Sequence, residues 1–182
     1  MAKRQSWEQD ASNPEEYHFC EAKRGQEFIL RMNTGADPVL AIQRFAKNNN
    51  IRFGKVHASF MGGFRPAKFL IWTPDSQDKS NWHNESVATV QNLSMLLAIG
   101  GMIGIRLNAR SEEESFVALH FVAGGGWDVP TFGGHLVEGT RVCGVMQVFV
   151  TEILGIDITR PSYELTGESA SFPENWYRAI KT

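Results

Sequence analysis

Only two cysteines, Cys20 and Cys143, occur among 182 residues. That excludes a disulfide framework and a cysteine metal cluster. Both lie among apolar residues and read as small core hydrophobes. Positive charge is not in excess either: 18 Lys and Arg stand against 20 Asp and Glu, a formal net charge of -2. Sequence-independent affinity for nucleic acid rests on such an excess, so direct DNA binding is disfavoured. No apolar run reaches the roughly 20 residues a membrane helix needs. The longest candidate, residues 93–105, is interrupted by Gly100, Gly101 and Gly104. The first residues, Met1-Ala2-Lys3-Arg4-Gln5-Ser6-Trp7, lack the apolar stretch of a secretory signal, and a cytoplasmic location is expected. Asn84-Glu85-Ser86 and Asn92-Leu93-Ser94 are then chance matches to the glycosylation pattern.

Several catalytic signatures are missing as well. There is no Gly-x-Ser-x-Gly elbow, and Cys143 has no basic neighbour in sequence. Gly124-Gly125-Gly126 runs into Trp127-Asp128-Val129-Pro130, not into a helix start, so it is no phosphate cradle. Trp72, Trp82 and Trp127 read as packing residues, since Lys and Arg are too sparse around them for an RNA-binding signature. Phe64-Arg65-Pro66-Ala67-Lys68 is weakly basic but lacks the Arg-Gly-Arg-Pro core of a minor-groove hook.

What is present is a hydrophobic fraction of 42%, enough for the core of one soluble α/β domain. Residues 1–16 are polar and carry Pro14, and read as a loosely attached arm. A strand is expected over Glu27–Met32, with Asn33-Thr34-Gly35 as its turn. The clearest helix follows, over residues 38–48. Asp37 can cap it, Pro38 suits its first position, and Val39, Ile42, Phe45 and Ala46 share a face. Asn48-Asn49-Asn50 suits its end. Strands are then expected at Phe53–Phe60, at Ala67–Trp72, over Glu85–Ile99 as one or two, and over Met102–Leu107. Further strands are expected at Phe116–Ala123 and within Thr140–Ile153. Polar or glycine-rich loops are expected at 75–84 and 124–134, an acidic turn at 111–114, and a short helix at 174–180. One early helix followed by many strands gives an α+β (mixed α/β) class with an antiparallel sheet. The division expected is an arm over 1–16, a domain over 17–155 and a C-terminal extension over 156–182.

Five histidines are candidates for chemistry: His18, His57, His83, His120 and His135. None makes the helical pair of a zinc protease. His120 lies in the apolar strand Val117-Ala118-Leu119-His120-Phe121-Val122. His135 follows Gly133-Gly134 across a loop. If the intervening chain turns back, the two imidazoles converge and supply half of a zinc-like site. The plainer alternative is a hydrogen-bonded structural pair. The adjacent glycines imply unusual backbone angles or a close approach by another chain or ligand. Asp128 and Glu138 flank His135 and can orient it or move a proton, or else are solvated loop carboxylates.

Jointly, these landmarks resemble the plants-and-prokaryotes-conserved (PPC) domain over roughly residues 26–154. The resemblance runs through the strand ending at Arg31, Gly35, the helix with Phe45-Ala46, and Ala58-Ser59-Phe60-Met61-Gly62-Gly63. It continues through Leu97-Ala98-Ile99-Gly100-Gly101-Met102-Ile103-Gly104, Leu119-His120, Gly133-Gly134-His135-Leu136 and Glu138-Gly139. It implies a curved antiparallel sheet with flanking helices, assembled as a homotrimer. It also implies a binding or regulatory role, through a protein partner or a small-molecule ligand. Family members are described as candidate DNA-binding or transcription-associated proteins. Some prokaryotic members hold a metal with a His-x-His pair and the histidine of Gly-Gly-His. Here Ala118 and Val122 flank His120, so the pair is incomplete. Gln147 stands where the family often has glutamate, and Met95 replaces an acidic position. His57 is a candidate to complete the set. A different class of function also fits: a hydrolase or lyase, with or without a divalent metal. Its site would lie at a subunit interface near His120 and His135, with Asp128, Glu138 and Gln147 near it.

Overall fold

A computed structural model describes residues 20–60, 62–73, 84–107, 110, 112–124, 130–158 and 177–180. Its elements follow from two periodicities. The helix α1 (Pro38–Asn48) forms where sequence spacing places it, with Asp37 Oδ1 accepting from the Val39 and Leu40 amides. Its buried face is Pro38, Val39, Ile42 and Ala46. Its C-terminal turn closes on the asparagines: Asn49 is the cap, and Asn50 takes a positive φ of 56°.

The strands are β1 (Lys23–Met32), β2 (Gly54–Phe60), β3 (Gly63–Phe64), β4 (Ala67–Thr73), β5 (Asn84–Val90) and β6 (Ser94–Leu107). They continue with β7 (Glu113–Gly124), β8 (Phe132–Leu136), β9 (Val142–Cys143), β10 (Met146–Leu154), β11 (Ile156–Ile158) and β12 (Tyr177–Ala179). Ten of them form one antiparallel sheet in the order β1-β10-β2-β6-β7-β8-β4-β5, with β3 and β9 paired beside β6. Strand β7 shows the period of two: Val117, Leu119, Phe121 and Ala123 are buried, whereas His120 and Val122 are exposed. Strand β10 does the same, burying Met146, Val148 and Val150 and leaving Gln147, Phe149 and Thr151 on the other face. The inner face packs beneath α1 in one core that includes Ile42, Ala46, Phe64, Phe69, Ile103, Leu119 and Phe121. The Gln43 amide also donates to the Ser115 carbonyl, tying α1 to β7. The outer face carries no helix among the described residues. Register shifts at Arg24/Glu27, Leu96/Ala98 and Val148/Phe149 add bulges that bend the strands.

The structure departs from expectation in five places. Gly100 and Gly101 do not break the chain but lie inside the 14-residue β6. A Cβ at Gly101 would collide with the Ala118 carbonyl, so glycine is what lets β6 and β7 pair there. Gly133 and Gly134 likewise belong to a strand, β8, and not to the end of a loop. Residues 177–179 form β12 against β11, not part of a helix. So short a helix is marginal alone, and the free edge of β11 offers hydrogen bonds that an isolated turn lacks. Glu113 and Glu114 are strand residues held by Arg52 and Arg106. Both cysteines are free and half-buried, not core residues: Cys20 precedes the sheet, and Cys143 sits in the two-residue β9. The expected arm at 1–16, residues 75–83 and residues 125–129 lie outside the described residues.

Candidate functional site

The outer face gathers the candidate histidines because antiparallel register puts directly opposed residues on the same side. His120 of β7 stands directly across from His135 of β8. Their rings meet edge to face, 4.9 Å between centroids and 76° between planes. His120 is exposed and His135 half-buried. The same row continues across β6 through Gly100 to His57 of β2. Gly100 has nothing closer to its missing Cβ than the Val56 carbonyl, so the space between His57 and His120 is open. Two strand spacings separate those residues, roughly 9–10 Å between Cα atoms.

The glycines before His135 act by close approach and not by unusual angles. A Cβ at Gly133 would strike the Phe121 carbonyl. One at Gly134 would stand 2.6 Å from the Leu70 carbonyl and 2.9 Å from the Phe69 ring. Glycine therefore allows β8 to lie between β7 and β4, and that placement brings His135 to His120.

His57 is committed elsewhere. Its Nε2 lies 3.2 Å from Thr151 Oγ1, and its ring stacks on Phe149 at 5.9 Å. The Thr151 hydroxyl also bonds the Glu27 carboxylate, and chiefly for that reason Glu27 titrates below the ordinary carboxylate range. Burial opposes this shift, while Arg24, 2.6 Å away, and the nearby His57 reinforce it. With Thr151 donating to Glu27, the hydroxyl lone pairs are left to accept from His57 Nε2–H.

Other candidates are not drawn to the histidine pair. Arg31 and Gln147 face each other on β1 and β10, and Gln147 also opposes Phe60 of β2. Gln147 is therefore three strands across from His120, roughly 14 Å by strand spacing alone, and is offset along the strands as well. Glu138 is exposed in the turn after β8, beside Gly139, whose amide donates to Asp37 Oδ2. Asp128 and Trp127 lie outside the described residues. Among the described residues, no group of three His, Cys, Asp or Glu could hold a metal ion. Two imidazoles number half the ligands of a tetrahedral site, and this chain's described residues do not close the set.

Two features escaped sequence reasoning. Asp37 does more than cap α1: its Oδ2 accepts from the Gly139 amide and from Arg141 Nη1, each at 2.7 Å. The Asp37 side chain is 6% exposed and joins the start of α1 to the β8–β9 connection. The other feature is an apolar surface beside the histidines. Met95 and Leu97 of β6 are 66% and 59% exposed, and Val122 of β7 is 43% exposed. Leu97 is the extra residue of the β6 bulge, which turns it outward. Only that register shift reveals it, because the alternation in sequence fails there.

Residues 20–154 match the model of the Plants and Prokaryotes Conserved (PCC) domain. None of the curated proteins matches the sequence. Among solved structures, a plant- and prokaryote-conserved protein of Pyrococcus horikoshii has a TM-score of 0.63 at 21% identity, covering 81% of this chain and 92% of its own. A metal-containing protein of Archaeoglobus fulgidus has a TM-score of 0.60 at 19% identity, covering 75% and 86%. A Ralstonia eutropha protein described as a candidate DNA-binding protein has a TM-score of 0.54 at 14% identity, covering 82% and 88%. At these identities the likeness carries the fold.

Proposed function

Since the chain belongs to the Plants and Prokaryotes Conserved domain family, we propose that it is a homotrimeric binding module assembled through the outer face of its sheet. The observation that carries this reading is the exposed cluster of Met95, Leu97 and Val122 on the adjacent strands β6 and β7. Monomers in water rarely leave large neighbouring aliphatic side chains this bare. Burying them against another copy removes apolar surface from water at roughly 25 cal/mol per Å2. The charge argues in the same direction. A net charge of -2 offers no surplus of cations for phosphates, so the module works through protein or small-molecule contacts and not through direct DNA binding.

Sedimentation equilibrium of the full chain is the test. Wild type is expected at three times the chain mass, and Leu97→Glu at lower mass with its fold retained by circular dichroism. A wild type that stays monomeric at tens of micromolar would overturn the reading.

The histidine pair supports a second reading, in which the assembled module holds a zinc-like divalent ion and acts on a small polar metabolite as a hydrolase or lyase. His120 and His135 would give two imidazole ligands, and the remaining positions would fall to solvent or to a second copy. Purified protein should then retain metal near stoichiometry. Zinc affinity should fall at least tenfold in both His120→Ala and His135→Ala. Substoichiometric metal with equal zinc affinity in the variants would exclude this reading.

A further inference from the structure

A second site lies at the other end of the same strands. Where β1 begins and β10 ends, Phe53, Met102, Ile103, Ile153 and Ile156 line a cavity of about 370 Å3, together with Lys55. Such a volume is within the range of roughly 300–1,000 Å3 typical of small-ligand pockets. Its floor is part of the packed interior, since Ile103 is fully buried and Phe53 nearly so. The core fixes that floor, while half-buried Met102, Ile153 and Ile156 and exposed Ala22 and Lys55 form the open walls. Its largely apolar lining favours an apolar occupant that would leave water on binding.

Lys55 gives the cavity its selectivity. It is exposed on β2, opposite Met102 of β6 and Thr151 of β10. Its ammonium has no ion pair or hydrogen bond among the described residues. The nearest acidic group along that row, Glu27, is already engaged by Arg24 and Thr151. An aliphatic pocket beside one uncompensated cation is complementary to one chain bearing one anionic end. We propose that this cavity binds a medium-chain aliphatic monocarboxylate, with its chain among Phe53, Ile103, Ile153 and Ile156 and its carboxylate at Lys55. The site lies beyond His57 on the same strands, away from the His120–His135 pair and from the cluster of Met95, Leu97 and Val122.

Calorimetric titration of the full chain with hexanoate, octanoate, decanoate and decanol tests this. Affinity should rise roughly fourfold per methylene, as burial of each group predicts, and stop rising once the cavity is full. Decanol should bind at least tenfold more weakly than decanoate. Lys55→Met should weaken decanoate at least tenfold without changing decanol, and Lys55→Arg should restore most of the loss. Ala22 also lines the cavity from its exposed rim, and Ala22→Phe should weaken both ligands by filling it. Cys20 lines the same cavity, so decanoate should slow its alkylation relative to that of Cys143, which does not. Thermal melts of each variant establish that it is folded. Absence of binding up to millimolar decanoate would overturn the proposal. So would equal affinity for decanol, or a Lys55→Met variant that binds decanoate as tightly as wild type.

Discussion

Glu27 shows how an exposed residue acquires a defined role. Its carboxylate titrates low mainly because Thr151 donates to it, with Arg24 and His57 adding positive charge. A folded-state value below the unfolded one means that its stabilisation is present above roughly pH 4.3, the ordinary glutamate value. It is lost as pH falls through the depressed folded value. Thr151→Val should therefore raise the Glu27 titration midpoint seen by NMR. The difference in melting temperature from wild type should also narrow in acid. An unchanged midpoint would show that the hydroxyl does not reach Glu27. Asp37 makes the complementary point. Its place before Pro38 makes the cap legible in sequence, because capping is local. Its bonds to Gly139 and Arg141, more than a hundred residues away, are not local and left no trace in the pattern.

Among the elements, α1 was readable to its ends, because cap, proline and one apolar face all agree within eleven residues. The strands β6 and β8 were not. Glycine reads as a break, yet at Gly101, Gly133 and Gly134 it marks backbones passing too close for a side chain. Gly134→Val is expected to cost about 1–3 kcal/mol by overpacking against Leu70 and Phe69, lowering the melting temperature by several degrees. It should also disturb the contact between His120 and His135, visible as changed imidazole resonances. A melting temperature equal to wild type would mean that β8 does not run so close to β4. β12 failed for a related reason: its strand pairing depends on β11, which precedes it by eighteen residues in the chain.

For the whole molecule, the sheet separates two surfaces. One is covered by α1 and filled by the core; the other carries the histidine row, the apolar cluster at Met95, Leu97 and Val122, and the exposed Ile29 and Val87 near opposite edges. The chain's net charge of -2 brings no surplus of cations to phosphates, and direct DNA binding is not expected. Gel-shift titration at low salt with random-sequence duplex should give no retardation at micromolar protein. Retardation that fades steeply with salt would reveal a local cationic surface formed on assembly.

By itself, the sequence determined the class of fold, the position of the helix and the presence of strands at β7 and β10, because each depends on the pattern within one segment. It also determined the net charge of -2, since charge is a sum over residues. Only the tertiary structure decided that His120 meets His135, that His57 turns to Thr151, and that Arg31 and Gln147 stand apart from the pair. It alone decided that Leu97 faces outward and that Lys55 borders an apolar cavity. Those relations are set by the register between strands distant in sequence. A shift of one residue in register would send each side chain to the other face.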